Sequence, residues 1–318
     1  MTIRIAIVGF GKIARDEHLP AIVADARFQL MAVVTRDVDP VIGVPCFESL
    51  TAMLAQMPGQ VDAVAICTPP SVRGTLAREA IAAGLGVLLE KPPAATLGEA
   101  AELGQVARAA AVPLFATWHS QHSPGVAAAA EALVGEELAS LRITWREDVR
   151  KFHPGQQWIW QAGGFGVFDP GINALSIAEQ IVAGPLIVAE AQLQVPVNVQ
   201  TPIAATIRFV GADSIAELDW RADCQEDWSI SVTTVIGRTI TLREGGATLF
   251  IDGRQQVLSG LHGYPSIYDR FAAIVAAGEV DLDLEPLRIV SDAFLVGQRQ
   301  MIDAFENDEL NGEKRERP

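Results

Sequence analysis

The chain has 318 residues, of which 49% are hydrophobic and 20% are charged, a composition that suits one large or two ordinary globular domains. Its 24 Lys and Arg residues against 39 Asp and Glu residues give a net charge of −15, which predicts that it binds neither nucleic acid nor an anionic membrane. No apolar run is long enough to span a bilayer, and the first residues are not typical of a signal peptide. Three scattered cysteines without metal-ligand spacing predict a reduced, cytoplasmic protein that holds no metal: Cys46, Cys67 and Cys224.

A glycine-rich turn follows the first predicted strand, Ile3–Val8. Residues 9–14 have the pattern G-x-G-x-x-A, which between a strand and a helix is typical of a dinucleotide-binding turn. Gly9 allows the tight turn, Gly11 lets the backbone approach a pyrophosphate, and Ala14 packs the helix closely on the strand. A tight turn without a ligand is the alternative. We expect the phosphates at the start of the helix, with contacts from Gly9, Gly11, Lys12 and Ile13.

The end of the second predicted strand, Phe28–Thr35, lies where such a fold binds the ribose of the dinucleotide. Arg36 suits a 2′-phosphate, because a guanidinium forms paired, charge-assisted hydrogen bonds with it. The sequence therefore favours NADP over NAD, with Thr35 and Arg36 as cofactor contacts. Asp37 could bind the free 2′-hydroxyl of NAD if the loop turns differently, and Arg36 could simply be a solvated surface residue.

Strands and helices alternate with short joins through residue 118, which predicts an α/β fold whose first domain, residues 1–118, has a doubly wound parallel sheet. Prolines follow the strands Val61–Ile66 and Val87–Lys91 closely. In an open parallel sheet, ligands bind beyond the carboxyl ends of the strands. Lys91 would then reach the ligand, although it could also leave the strand for solvent. The cofactor contacts predicted at these two strand ends are Thr68, Pro69, Glu90 and Lys91.

The pattern changes after residue 118 to strands with alternating apolar and polar residues. Trp228, Ile230 and Val232 would face one way, and the Ser and Thr residues between them the other. Such alternation predicts a second α/β domain, residues 119–318, with an open, mainly antiparallel sheet that has one buried face. Three predicted helices would cover that face: Ile172–Val182, Tyr264–Ala277 and Pro286–Ala304.

The densest polar and aromatic stretch runs from Trp145 to Trp160 and precedes Asp169 and Asn173. Aromatic faces stack on the C–H surface of a sugar, and carboxylates and amides bind its hydroxyls, so the stretch predicts a sugar site. Its three tryptophans could instead mark a subunit contact. Asp169 and Asn173 are four residues apart at a predicted helix start and can share one face, although Asp169 could also be only a helix cap.

These motifs resemble those of the glucose–fructose oxidoreductase/inositol dehydrogenase (Gfo/Idh/MocA) family: the glycine turn at Gly9, the Glu90-Lys91-Pro92 segment and the later Asp169-x-Gly171 segment. Within that family the chain is similar to the bacterial D-galactose/L-arabinose 1-dehydrogenases, in residues 11–16, 90–93, 116–120, 147–150, 153–156 and 168–174. The resemblance covers nearly the whole chain. It implies a Rossmann domain followed by an α/β domain whose open sheet can join a homodimer or tetramer.

The resemblance also implies an activity, the oxidation of the C1 hemiacetal of an aldose to the aldonolactone with hydride transfer to NAD(P)+. The family commonly places a histidine four residues after the aspartate as a base, whereas this chain has Asn173 there. Lys91 is therefore our candidate base, with Asp169 assisting or competing, and Asn173 would bind the reacting hydroxyl. We expect four residues to bind the rest of the sugar: His119, Glu147, His153 and Trp158.

Two other functions remain open from the sequence. The same fold occurs in non-catalytic, dinucleotide-binding sugar sensors, which need no base, so the presence of Lys91 and Asp169 favours an enzyme. A dehydrogenase of another sugar or of an inositol would carry the same motifs.

Overall fold

The computed structural model describes residues 2–36, 43–221 and 225–306, so Asp37 and Cys224 lie outside the described residues. Contacts between residues divide the chain into two units. The first unit contains Met1–His122 and Leu261–Leu284, and the second contains Ser123–Gly260 and Glu285–Pro318. The predicted division after residue 118 assigns residues 261–284 to the second domain, whereas their contacts group them with the first unit.

The strands, numbered in chain order, are β1 (Ile3–Val8), β2 (Phe28–Val34), β3 (Cys46–Phe47), β4 (Ala63–Ile66), β5 (Gly86–Leu89), β6 (Leu114–Ala116), β7 (Leu138–Arg146), β8 (Val188–Pro196), β9 (Ala204–Phe209), β10 (Asp213–Asp219), β11 (Asp227–Thr234), β12 (Thr239–Arg243), β13 (Thr248–Ile251), β14 (Arg254–Gln255), β15 (Val280–Asp281) and β16 (Gln298–Ile302). The α-helices are α1 (Leu19–Ala24), α2 (Leu50–Gln56), α3 (Pro70–Ala82), α4 (Leu97–Ala110), α5 (Val126–Ala132), α6 (Val149–Phe152), α7 (Phe168–Ile181), α8 (Gly263–Ala277) and α9 (Glu285–Val296). A π-helical segment, Ala14–His18, leads into α1.

The first unit contains a seven-stranded sheet in the order β15-β6-β5-β4-β1-β2-β3, and all of its neighbouring strands are parallel. The predicted doubly wound parallel sheet is confirmed. Strands β4 and β5 are buried at every residue, as expected for strands covered on both faces. The strand order reverses between β1 and β4, and in such sheets a ligand binds in the crevice at that point.

Helix α8 belongs to the core of the first unit. Tyr268 and Phe271 are fully buried there, in one apolar cluster with Ile5 of β1 and Phe28 of β2. We expected this helix to cover the second sheet, and that expectation is wrong. The apolar face of a helix shows that it is buried, but not which sheet buries it.

The second unit contains a nine-stranded sheet in the order β14-β13-β12-β11-β7-β10-β9-β8-β16. Its neighbours are antiparallel except for β7 with β10 and β8 with β16, so the prediction of a mainly antiparallel sheet is confirmed. Helices α5, α7 and α9 pack on one face. Ile230 and Val232 are buried, and the residues that alternate with them, Ser229, Ser231 and Thr233, are half-buried, as the alternation predicts.

Several element boundaries differ from the predictions. Strand β5 ends at Leu89, so Glu90 and Lys91 follow the strand instead of ending it. The predicted helix over Pro286–Ala304 ends at Val296, and the chain then forms β16, which pairs with the edge strand β8. An edge strand offers unpaired backbone groups, and the side-chain periodicity of the incoming segment does not reveal that opportunity. No helix in the described parts of the chain is both long and apolar enough to cross a membrane.

Candidate active site

The turn after β1 lies against the end of β4, at the reversal of strand order. Gly9 has a φ of +89°, and a Cβ atom there would lie 2.8 Å from Thr68 Cγ2 and 2.9 Å from the Thr68 nitrogen. Only glycine fits this turn. A Cβ on Gly11 would meet nothing within 4 Å, so the backbone at Gly11 borders open space.

This edge of the first unit fits a dinucleotide. The helix starts at once after the turn, with the Arg15 nitrogen bonded to the Gly11 oxygen at 3.1 Å, and the N–H groups of a first helical turn suit a phosphate. Thr68 Oγ1 is buried and has no hydrogen-bond partner among the residues that the structure describes, so it can serve a bound hydroxyl or phosphate.

The other predicted cofactor contacts lie along the same sheet edge. Lys12 is exposed and forms an ion pair with Asp16, while Ile13 is half-buried. Thr35 and Arg36 follow β2, and Thr35 is half-buried whereas Arg36 is exposed. Pro69 is exposed and precedes α3. The structure therefore brings these predicted contacts to one sheet edge, because the carboxyl ends of parallel strands share an edge.

Lys91 leaves the end of β5 from a backbone that several groups hold. Its own nitrogen donates to Glu90 Oε2 at 2.8 Å, and its peptide bond to Pro92 is cis. The buried Arg73 of α3 donates to the Glu90 oxygen at 2.5 Å and also to the oxygens of Pro92 and Thr68. The Lys91 side chain is half-buried.

The Glu90 carboxylate faces the interior of the first unit. Only 3% of the residue is exposed. Its Oε1 accepts a hydrogen bond from the Tyr264 hydroxyl at 2.5 Å and lies 3.0 Å from His18 Nε2. On the other side of the imidazole, His18 Nδ1 lies 2.8 Å from the Tyr268 hydroxyl. We call Glu90, His18, Tyr264 and Tyr268 the Glu90 network.

Two opposite charges stabilise this network. Burial alone would raise the pKa of Glu90, but the hydrogen bonds and charges of His18, His119 and Tyr264 outweigh it and hold that pKa well below its usual value. Burial alone would lower the pKa of His18, but Cys67, Tyr268 and Glu90 raise it well above its usual value. The pair is therefore a carboxylate and an imidazolium.

His119 lies in the first unit, in the short 3₁₀ turn after β6. Its ring is stacked 6.0 Å from the ring of Tyr264. The structure thus brings His119 to the Glu90 network, whereas the other three predicted sugar-binding residues belong to the second unit.

Glu147 is a buried acid of the second unit. The indole nitrogens of Trp220 and Trp228 donate to its two carboxylate oxygens at 3.1 and 3.0 Å. Glu147 follows β7 directly, and its backbone nitrogen bonds to the oxygen of Asp219 on the neighbouring strand β10. Two fixed donors therefore hold this carboxylate at the end of the sheet.

His153 joins Glu147 to Asp169. Its Nε2 lies 3.7 Å from Glu147 Oε1, its Nδ1 lies 3.6 Å from Asp169 Oδ2, and its ring lies 5.0 Å from that of Trp220. Both distances to the carboxylates exceed an ordinary hydrogen bond. The arrangement is a loose acid–imidazole–acid cluster, and the His153 side chain is 15% exposed.

Helix α7 begins at Phe168, which puts Asp169 in its first turn, beyond the cap position that Val167 occupies. The partial positive charge of a helix start favours an anion there. Asn173 follows one turn later and is half-buried, so the two side chains can share a face. Gly166 has a φ of +54°, and a Cβ there would lie 2.4 Å from the Pro202 oxygen, so the entry to α7 requires glycine. Trp158 is half-buried in the 3₁₀ turn Gln157–Trp160.

The sequence analysis gave no role in these sites to six residues: His18, Arg73, Trp220, Trp228, Tyr264 and Tyr268. One signal was available, because the two tyrosines of the chain stand four residues apart in a predicted helix and so share a face. Within residues 2–36, 43–221 and 225–306, no group of three or more His, Cys, Asp or Glu residues is arranged to hold a metal ion.

The first unit is a doubly wound dinucleotide-binding domain, and the second unit presents a carboxylate cluster suited to a polar ligand. A protein-family model described as "Oxidoreductase family, NAD-binding Rossmann fold" (GFO_IDH_MocA) matches residues 3–117 of the sequence. The chain is 46% identical over 308 residues to the galactose 1-dehydrogenase of Pseudomonas fluorescens, covering 95% of this chain and 98% of that one.

Solved structures agree with this comparison. A D-galactose-1-dehydrogenase protein from Rhizobium etli superposes with a TM-score of 0.91 at 46% identity, over 96% of this chain and 98% of that one. A 3-ketoreductase from Actinomadura kijaniata, solved with NADP and TDP-benzene, superposes with a TM-score of 0.82 at 19% identity, over 95% of this chain and 100% of that one, which shows a shared fold. The chain belongs to the Gfo/Idh/MocA family of oxidoreductases, as its motifs predicted.

Proposed function

We propose that the protein is an NAD(P)-dependent aldose 1-dehydrogenase that oxidises the C1 hemiacetal of D-galactose to the aldonolactone. The observation that carries the proposal is the 46% identity, over 95% of the chain, to a galactose 1-dehydrogenase. The second unit adds a physical reason, because His153 lies within 3.7 Å of two buried carboxylates that can accept hydrogen bonds from sugar hydroxyls.

The reaction breaks the C1–H bond and the O–H bond of the C1 hydroxyl and forms the lactone carbonyl. When bound, the oxidised nicotinamide supplies the acceptor of the hydride. The chain itself must hold the sugar and accept the proton. We propose Lys91 as the proton acceptor, with Asp169 assisting or competing, and Asn173 as the hydrogen-bond partner of the reacting hydroxyl. Four residues are proposed to bind the rest of the sugar: His119, Glu147, His153 and Trp158.

NADP is the coenzyme that we propose as favoured, with NAD as the alternative. The support is Arg36, which is exposed directly after β2, at the position of a ribose substituent in this fold. A guanidinium there binds a 2′-phosphate better than a free hydroxyl. The proposed cofactor contacts are Gly9, Gly11, Lys12, Ile13, Thr35, Arg36, Thr68, Pro69, Glu90 and Lys91.

L-arabinose is proposed as a second substrate. In their pyranose forms D-galactose and L-arabinose share the hydroxyl pattern from C2 to C4 and differ at C5. A site that reads those hydroxyls accepts both sugars, and contact with the extra CH₂OH group discriminates by only about 1–3 kcal/mol in an apolar pocket.

The test is an assay of reduced nicotinamide absorbance with the purified chain, NADP or NAD, and a sugar panel. We expect turnover with D-galactose and L-arabinose and much less with D-glucose, a matched control that differs from D-galactose only at C4. Turnover with an inositol alone would reassign the substrate. Dinucleotide binding without turnover on any member of the panel would contradict the enzyme and favour a sugar sensor.

We also propose a cytoplasmic homodimer or tetramer. Cys46 and Cys67 are both thiols, which fits the reducing conditions of the cytoplasm.

The support for an oligomer is the second sheet. On β7 the residues Arg142, Thr144 and Arg146 alternate with buried apolar ones, so the sheet presents a broad polar face that a second copy of the chain can cover. Light scattering of the purified protein tests this, and a monomeric mass would contradict it.

A further inference from the structure

The Glu90 carboxylate connects Lys91 to two other parts of the first unit. Its Oε2 accepts the Lys91 nitrogen at 2.8 Å, and its Oε1 accepts the Tyr264 hydroxyl at 2.5 Å and lies 3.0 Å from His18 Nε2. Tyr264 belongs to α8 and His18 to the π-helical segment before α1. Both oxygens are therefore engaged, and two separate elements together with the neighbouring Lys91 backbone fix where the carboxylate lies.

A second layer closes the network. The His18 ring is fully buried, and its Nδ1 lies 2.8 Å from the Tyr268 hydroxyl. Tyr264 and Tyr268 are the two tyrosines of the whole chain, and both reach this one network from successive turns of α8. Burial raises the pKa of Tyr268 to about 12, so its hydroxyl keeps its proton at neutral pH.

The Lys91 backbone is held from its other side as well. Arg73 donates to the oxygen of Glu90 at 2.5 Å and to that of Pro92, the residues on either side of Lys91. The direction in which the Lys91 side chain leaves the backbone is then set by Arg73 on one side and by the Glu90 carboxylate on the other. A buried, hydrogen-bonded support of this kind is what a reacting group needs to keep its geometry.

We propose that Glu90 is a positioning residue for Lys91, and that Tyr264 and His18 act on the reaction only through Glu90. This inference rests on the proposed aldose oxidation and on Lys91 as its proton acceptor. It assigns a part in catalysis to α8, which follows β14 of the second sheet along the chain but packs in the first unit. A displacement of about 1 Å at a reacting group can cost about 10²-fold in rate.

The test compares Glu90→Gln, Tyr264→Phe and the double variant in the full-length protein. We expect Glu90→Gln to lower kcat about 100-fold and Tyr264→Phe about tenfold, while the KM for D-galactose stays within about threefold. Because Tyr264 acts through Glu90, the double variant should have the kcat of Glu90→Gln alone.

Tyr268→Phe is the matched control, because it removes the other buried hydroxyl from the same helix but leaves the Tyr264 bond to Glu90 intact. We expect it to lower kcat by less than about threefold, even where its Tm falls as much as that of Tyr264→Phe. If Glu90→Gln fails to fold, the comparison of kcat between Tyr264→Phe and Tyr268→Phe tests the positioning role by itself.

Equal losses of kcat in the two tyrosine variants would overturn the positioning role and leave a purely structural network. A double variant whose loss of kcat is the product of the two single losses would overturn it as well. Wild-type turnover of D-galactose separates this failure from failure of the proposed function. A wild-type protein that binds NADP but oxidises no aldose overturns both.

Discussion

Each unit of the molecule contains a buried glutamate that aromatic side chains and a histidine surround, but the two clusters differ in tightness. Around Glu90 the histidine contacts are 3.0 and 2.8 Å and the imidazole is completely buried. Around Glu147 the histidine contacts are 3.7 and 3.6 Å, and His153 retains 15% of its side-chain exposure.

This difference in contact distances distinguishes a cluster that supports a neighbouring group from a cluster that binds a ligand. A buried, hydrogen-bonded network such as that of Glu90 resists change and holds its neighbours in place. A looser cluster such as that of His153 keeps donor and acceptor capacity for a ligand. The comparison predicts that substitutions in the first cluster reduce stability or kcat, whereas substitutions in the second reduce affinity for the sugar.

The largest effect should come from the lysine that the first cluster supports. Lys91→Met should lower kcat by about 10³-fold, because the proton acceptor is lost, while NADP still binds. Single-turnover kinetics and fluorescence titration with NADP measure the two quantities. Lys151→Met is the control, since Lys151 is 61% exposed in its ion pair with Glu226. Near-normal turnover by Lys91→Met would remove Lys91 from the chemistry.

Asp169→Asn should lower kcat/KM by about 10²-fold, because the second unit loses a carboxylate without a change of shape. Steady-state kinetics with D-galactose give this value. Asp213→Asn makes the same change at an exposed ion pair with Arg142 and should behave as wild type. Equal behaviour of the two variants would place Asp169 outside the reaction.

Replacement of each histidine by glutamine tests the comparison directly. His18→Gln should lower the free energy of unfolding by about 3 kcal/mol, because it removes one member of a buried charged pair. His153→Gln should change that free energy by less than about 1 kcal/mol but raise the KM for the sugar about tenfold. Denaturant unfolding and kinetics measure both, and a reversal of the two outcomes would refute the assignment of roles.

The stability that His18 adds should depend on pH. The lowered pKa of Glu90 adds stability above its usual value of 4.5, and this is lost as the pH falls through the lowered pKa. The raised pKa of His18 adds stability that is complete below its usual value of 6.5 and is lost as the pH rises through the raised pKa. The Tm difference between wild type and His18→Gln should therefore be greatest between these two pH values. A Tm difference that keeps growing at pH values above both would contradict the assignment of a charged pair.

The smallest effect should be on coenzyme choice. Arg36→Asp should shift the NADP-to-NAD ratio of kcat/KM about tenfold towards NAD, because a charged partner of the 2′-phosphate is replaced by an acceptor for a hydroxyl. Arg254→Asp, at an exposed residue of β14, makes the same charge change and should leave the ratio unaltered. An unchanged ratio in Arg36→Asp would show that Arg36 does not contact the 2′-phosphate.

Much of the fold could be predicted because its signals are local. The glycine pattern at Gly9, the apolar strands and the alternation at Ile230 and Val232 follow from backbone sterics and period alone. The position of α8 could not be predicted this way, since its apolar face fits either sheet. Strand β16 was missed because its partner is an edge strand far away in sequence.

The candidate sites show the same limit. The sequence placed Lys91 at the end of a predicted strand and Asp169 at the start of a predicted helix, where local rules of backbone geometry apply. It could not show that Glu90 turns inward to His18, because that contact spans 72 residues. Nor could it show that Trp220 and Trp228 donate to Glu147, since strand pairing brings them together. Long-range polar contacts depend on the assembled fold, and no periodicity encodes them.

The most direct test of the proposed reaction uses D-galactose that carries deuterium at C1. The account predicts that deuterium appears at C4 of the reduced nicotinamide, in equal amount to the aldonolactone formed, and that kcat/KM falls for the labelled sugar where hydride transfer limits the rate. Reduced nicotinamide without deuterium, or deuterium retained in the sugar product, would contradict oxidation at C1.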